Sequence, residues 1–295
     1  MLGMFFLTQL IGLLVIHLYA PIITQSIDEQ GNLINITSYN LPYGVNPPED
    51  SSPKSSLFSI LIAIAIAVFL ILFLMKIRAE IFLRIWFLVV VFLALSISIN
   101  AFLISFSNSS IIALIIALPL ALLKIFRRSF VIHNLTELLI YPGIAAIFVP
   151  LLNVWTSVLL MLFLSVYDIY AVWKVGFMQK MAKYQMEKVK VFPGFFVPYL
   201  DKKAKKQIEK LKSSKSKKPI KLSIAILGGG DVVFPLILAG AVFNSLGFMQ
   251  ALIIILGATA ALGFLFYISK KGKAYPAMPF ITIGVLFALG IIYFI

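Results

Sequence analysis

Two carboxylates stand alone in apolar surroundings: Asp168, in Ser165-Val166-Tyr167-Asp168-Ile169-Tyr170, and Asp231, directly after Leu227-Gly228-Gly229-Gly230. A charged side chain at membrane depth costs at least ~2.5–3.5 kcal/mol on insertion scales, so an acid kept there points to function. Two carboxyl groups within hydrogen-bond reach do not both ionise readily; they share a proton and titrate as a coupled pair. One can then act as general base toward a water while the other acts as general acid toward a scissile carbonyl. Such hydrolysis needs no metal, thiol or imidazole. The other chemistry open to buried acids is proton-coupled transport.

Competing chemistries find few residues. The chain has no cysteine, which removes thiolate catalysis and zinc–thiolate sites. Its two histidines, His17 and His133, fall on different segments, so neither a histidine metal cluster nor a Ser–His site is expected. No cofactor is implied. Glu137 lies seven residues into its apolar segment and reads as structural or interfacial, and both histidines read as packed or interfacial.

The elements that carry the acids are those of a membrane protein. Of 295 residues, 61% are hydrophobic and 12% charged, against about 45–50% and 25% in soluble domains. A span needs about 20 apolar residues. The pattern predicts an all-α polytopic protein with nine such segments, over 2–23, 57–75, 82–105, 110–123, 130–149, 151–173, 222–243, 246–268 and 276–295. The first lacks a basic flank and a small-residue cleavage site, so it is expected to be a retained helix. Pro119 and Pro142-Gly143 predict kinks in the fourth and fifth. The turn between the fifth and sixth must be tight.

Alternate connections carry 24 of the 25 Lys and Arg residues, fifteen of them between 174 and 221. In a membrane protein the net charge of +14 therefore marks cytoplasmic loops and not a nucleic-acid partner. The amino terminus is predicted cytoplasmic and the carboxyl terminus extracytoplasmic. The chain divides into an N-terminal six-helix bundle (1–173), a basic cytoplasmic loop (174–221) and a C-terminal three-helix segment (222–295). The loop 24–56 is extracytoplasmic and contains the sequon Asn35-Ile36-Thr37. In the basic loop, residues up to Lys190 suit a surface helix. The run Val191 to Pro198 is apolar and too short to span, and Lys202 to Lys221 suits a flexible linker.

Both acids are expected near the cytoplasmic face. Asp168 precedes Lys174 by six residues, roughly 9 Å of helix, and Asp231 follows Lys221 by ten, roughly 15 Å. Gly228, Gly229 and Gly230 remove three side chains beside Asp231, which admits a neighbouring backbone and weakens the helix. The two carboxylates are therefore expected to meet.

Tyr167-Asp168, Gly228-Gly229-Gly230-Asp231 and Pro276-Ala277-Met278-Pro279 resemble the YD, GxGD and PAL signatures of presenilins and signal peptide peptidases, the intramembrane aspartyl proteases. Their order, the nine-span layout and the long loop between the aspartate segments match over essentially the whole chain. Met278 departs from the usual Leu, a swap that roughly conserves volume. The resemblance implies that Asp168 and Asp231 are catalytic. It gives Tyr167, Gly228, Gly229, Gly230, Pro276, Ala277 and Met278 supporting, substrate-binding roles. It further implies cleavage of transmembrane peptides in the cell membrane by a stand-alone, archaeal-type microbial enzyme without obligatory partner subunits; self-association is left open. A substrate helix is expected to enter between the sixth and ninth spans, unwind near Gly228 to Gly230 and pair as an added strand. Residues 191–198 are either an interfacial anchor or the counterpart of a segment cut during presenilin maturation. Type IV prepilin peptidases share a GxGD-type aspartate but lack the Pro-Ala-Leu element. A transporter would call for an inverted repeat with paired broken helices, which the chain does not display.

Overall fold

The computed structural model describes residues 1–27, 33–48, 52–127, 129–175, 177–199, 223–270 and 274–294. The chain is mostly helical: α1 (Leu2–Leu18), α2 (Pro53–Lys76), α3 (Glu80–Leu103), α4 (Ser109–Phe126), α5 (Phe130–Phe148), α6 (Val154–Ile169), α7 (Phe177–Tyr184), α8 (Gly230–Leu246), α9 (Phe248–Ile268) and α10 (Met278–Phe294). Among the described residues, two antiparallel hairpins interrupt it. One pairs β1 (Ile22–Ile27) with β2 (Leu33–Ser38), and the other pairs β3 (Gly194–Tyr199) with β4 (Ser223–Gly228).

Among the described residues, six helices are long and apolar enough to cross a membrane: α2, α3, α4, α5 with its following turn, α6 with its extension to Lys174, and α9. Helices α1, α8 and α10 are apolar but have 17 residues each, about 25 Å of rise against a hydrocarbon core of about 30 Å. Large apolar side chains point outward, among them Phe69 at 72% exposure and Val131 at 75%. A surface of that kind suits lipid and not water. The chain is a multi-pass membrane protein.

Three sequence expectations are corrected. The all-α class gives way to helices plus two hairpins. The first helix stops at Leu18 instead of 23, because Pro21 disfavours helix in the residue before it and Ile22-Ile23-Thr24 is β-branched. The seventh helix does not begin at 222: Ser223–Gly228 is a strand, and α8 starts at Gly230. The linker from 202 to 221 lies outside the described residues.

Local chemistry sets the remaining ends. Ser52 and Ser55 form a reciprocal cap on α2, with Pro53 at its first position. Asn153 and Thr156 do the same for α6, directly after the 3₁₀ turn Val149–Leu151 that keeps the α5–α6 connection tight. Pro119 and Pro142 remain inside continuous helices. Gly143 is needed where it stands, since a side chain there would run into the Ala94 carbonyl of α3.

Helix α8 lies at the centre of the bundle. Nearly every residue from Val232 to Val242 is buried, as expected of a helix that is apolar all round. It packs on α1, α5, α6, α9 and α10. Helix α2 is the opposite case, with most of its length exposed.

Candidate active site

Asp168 sits on α6 within a continuous helical run that widens into a π-helical turn at Tyr170–Val175. Its residue is 6% exposed. The Met278 backbone N–H donates to Asp168 Oδ2 at 3.2 Å. That amide is free to do so because it belongs to the first turn of α10, where helical N–H groups have no partner within the helix. One turn back along α6, Ser165 shares a 2.7 Å hydrogen bond with Thr282 of α10, buried from solvent. Pro276, Ala277 and Met278 are all buried here, so the PAL-like element lies against the first acid. Tyr167 is half-buried on the neighbouring position. The α6–α10 face expected to admit substrate is therefore closed by these contacts.

Asp231 is held differently. It is the second residue of α8 and is half-buried, with the end of β4 immediately before it. A Cβ on Gly228 would lie 3.1 Å from Asp231 Oδ2, so the carboxylate occupies the space that the missing side chain leaves. Gly229 lies under the buried Tyr141 ring, 2.9 Å from where a Cβ would be. The glycines act at a strand-to-helix junction and not inside a helix, so the helical rise used to place Asp231 at 15 Å does not apply. Helices α6 and α8, which carry the two acids, pack directly on each other.

The backbone of the hairpin has a fixed parity. In β3, the N–H and C=O groups of Gly194 and Phe196 turn away from β4 toward α5, where side chains bond them. Pro198, which has no N–H to donate, falls on the same edge. Phe195 and its partner Leu227 therefore face each other, and Pro193 C=O continues that parity by accepting from Gly229 N–H at 3.2 Å. By alternation, Ile226 and Gly228 present their backbone groups on the outer edge of β4, which leads to Asp231. No described residue pairs with the Ile226 backbone on that edge.

Several residues of the site's wall were not singled out as such by the sequence. Glu137 is 1% exposed and ion-paired at 2.6 Å with Lys124 of α4, so its role is structural and internal, not interfacial. Gln9 of α1 is fully buried and donates to the Val232 carbonyl at 2.9 Å, fixing α8 beside Asp231. Tyr141 packs edge-on against Phe195 with ring centroids 5.4 Å apart. The available signal was polarity inside apolar spans. Among the described residues there is no cluster of His, Cys, Asp or Glu that could hold a metal.

A cavity of about 560 Å³ is lined by Ser56 and Ile60 of α2, Phe148, Leu160 of α6, and Val233 and Phe234 of α8. It lies beneath the sparsely packed α2.

The chain is similar to known proteins in two ways. Its residues 37–295 match the sequence profile of the family described as signal-peptide peptidase, presenilin aspartyl protease. Its fold resembles the structure of a presenilin family intramembrane aspartate protease in the C222 space group, with a TM-score of 0.61, 17% identity, and coverage of 99% of this chain and 94% of the other. The P2 form of such a protease gives a TM-score of 0.60 at 18% identity, covering 98% and 94%. No curated protein matches the chain in sequence. With the profile covering most of its length and the YD, GxGD and PAL-like elements gathered at one site, the chain belongs to the signal-peptide peptidase and presenilin aspartyl protease family.

Proposed function

We propose that the protein is an intramembrane aspartic endopeptidase that hydrolyses peptide bonds of transmembrane helices with Asp168 and Asp231 and a water. The observation that carries this reading is that two acids stand on helices packed against each other, one on α6 under the α10 amide and one at the mouth of α8. The pair shares one proton: the ionised carboxylate takes a proton from water, and the protonated one donates to the carbonyl oxygen. The Met278 and Ala277 amides at the start of α10 hold the Asp168 carboxyl in place.

A helical peptide bond is hydrogen-bonded and shielded, so the substrate must unwind. The outer edge of β4 accepts the extended segment as an added strand and delivers it toward Asp231. Access is through the cavity between α2, α6 and α8 and not between α6 and α10. In this reading the chain crosses the membrane nine times, with a cytoplasmic amino terminus, and the lysine-rich loop keeps the catalytic end toward the cytoplasm.

The test is cleavage of a single-span peptide in liposomes by the parent protein, Asp168→Asn and Asp231→Asn. Asparagine keeps an acceptor for the amides that hold each acid but cannot exchange the proton. Each variant is expected to lose at least about 10²–10⁴-fold in rate while remaining folded. Retained cleavage in either variant contradicts the dyad. Proton-dependent solute uptake without cleavage would favour a transporter.

A further inference from the structure

The outer edge of β3 is closed by side chains of α5 that imitate a third strand. Asn134 clamps Phe196 at both ends of one residue: its Nδ2 donates to the Phe196 carbonyl at 2.7 Å, and its Oδ1 accepts from the Phe196 N–H at 3.0 Å. One residue earlier, His133 Nε2 donates to the Gly194 carbonyl at 2.7 Å. The carbonyl can only accept, so the neutral ring carries its proton on Nε2 and leaves Nδ1 facing the Lys124 ammonium at 3.4 Å. Glu137, one turn on, accepts the Gly194 N–H at 3.4 Å. The same carboxylate oxygen takes the 2.6 Å ion pair from Lys124. Four backbone groups on alternate residues of one strand are thus met by three side chains from one face of a helix.

An amide that pairs with both the N–H and the C=O of one residue reproduces what a neighbouring strand does. It fixes the strand along its length, since a slip of one residue would present the opposite edge. The hairpin so fixed ends at Gly228, and the chain reaches Asp231 three residues later. Further along the same face of α5, Tyr141 touches Phe195 and Gly229. Helix α5 therefore contacts the hairpin from its far edge to the junction that carries the acid.

We infer that Asn134, with His133 and Glu137, is a positioning residue: by clamping the outer edge of β3 it sets the register of the β3–β4 hairpin against Asp231, and so selects which substrate bond is cut. The inference rests on the protease reading and on strand addition at β4. It also assigns the two edges unequal roles: the β3 edge is occupied from within the chain, so an incoming strand has the β4 edge.

The experiment compares the full-length parent with Asn134→Ala, Asn134→Asp and, as a control, Val131→Ala, whose side chain faces outward at 75% exposure. Products from a single-span peptide are mapped by mass spectrometry, with KM and kcat separated, and hydrogen exchange is followed at Phe196. Asn134→Ala is expected to speed exchange at Phe196 by roughly tenfold, through loss of two hydrogen bonds. It should also lower kcat more than it raises KM, and spread the cut over neighbouring bonds. Asn134→Asp keeps the acceptor for the Phe196 N–H but sets a carboxylate oxygen against the Phe196 carbonyl, so it should disturb exchange and cut site at least as much as alanine. Val131→Ala should cut at the parental bond. A merely structural role would lower yield and thermal stability while leaving the cut bond unchanged, and that result overturns the proposal. A parent that cleaves nothing would instead count against the protease reading. The exchange arm then decides the clamp: unaltered exchange at Phe196 in Asn134→Ala refutes it on a chain without activity.

Discussion

The two aspartates are held by different means, and the contrast indicates which parts of the molecule each one answers to. Asp168 projects from a continuous helix and is secured by helix–helix contacts: the Met278 amide beneath it and the Ser165–Thr282 bond one turn away. Asp231 stands where a strand becomes a helix, over glycines that a tyrosine presses from the other side. Its location depends on the strand that precedes it, and that strand's partner depends on α5. The first acid is mounted on the bundle; the second is delivered by a hairpin. In the proposed dyad, one carboxyl would stay fixed while the other adjusts to a substrate strand arriving alongside it.

The contrast breaks most severely at Gly229. A Cβ there meets the Tyr141 ring at 2.9 Å, and that ring is 1% exposed. Overpacking of this kind costs about 1–3 kcal/mol, here at the residue that aims Asp231. Gly229→Ala should reduce cleavage by at least roughly tenfold, with helical content retained. Combining it with Tyr141→Leu should recover part of the loss; parental activity in Gly229→Ala alone would show that the junction is not tight.

A smaller effect is expected on the Asp168 side. Ser165→Ala leaves the Thr282 hydroxyl buried without its α6 partner, at a cost of about 1–3 kcal/mol in thermal or denaturant stability. The double variant with Thr282→Val should be closer to the parent than the sum of the single changes. Additive losses would mean that the two hydroxyls do not act as a pair.

The smallest effect belongs to Met278→Leu. What serves Asp168 is the backbone N–H of this residue, and the side chain contributes to the core in a position where volume is conserved. The cost should stay under about 1.5 kcal/mol, read as near-parental cleavage and melting temperature. A large loss would transfer the role of this element from backbone to side chain.

The same contrast separates what could be read from the sequence from what could not. Asp168 and the Pro276 element are local: an acid in an apolar helix and a proline ahead of a helix start announce themselves within a few residues. The hairpin does not. Ser223-Ile224-Ala225-Ile226-Leu227 is a short apolar run, which periodicity alone cannot assign to strand or buried helix, and beside the apolar residues that follow it resembles the start of a span. Its isoleucines and the three following glycines favoured a strand, but its partner lies beyond a lysine-rich stretch that hides the pairing. The run from Val191 to Pro198 was too short to span for the same reason: from Gly194 on it is the other strand. The α5 side chains were visible as polar residues in an apolar helix at spacings i, i+1 and i+4. What they bond was invisible until the strand existed.

The central claim is that two acids from these unlike mounts act as one catalytic pair. The most direct test is the binding of a hydroxyl-bearing peptide analogue of the tetrahedral intermediate to the purified parent, Asp168→Asn and Asp231→Asn in the same lipid. Analogues of this type bind at least about 10²-fold more tightly than substrate where the transition state is recognised. The account predicts tight binding to the parent and a fall to substrate-like affinity in both variants alike. Undiminished binding by either folded variant would contradict it.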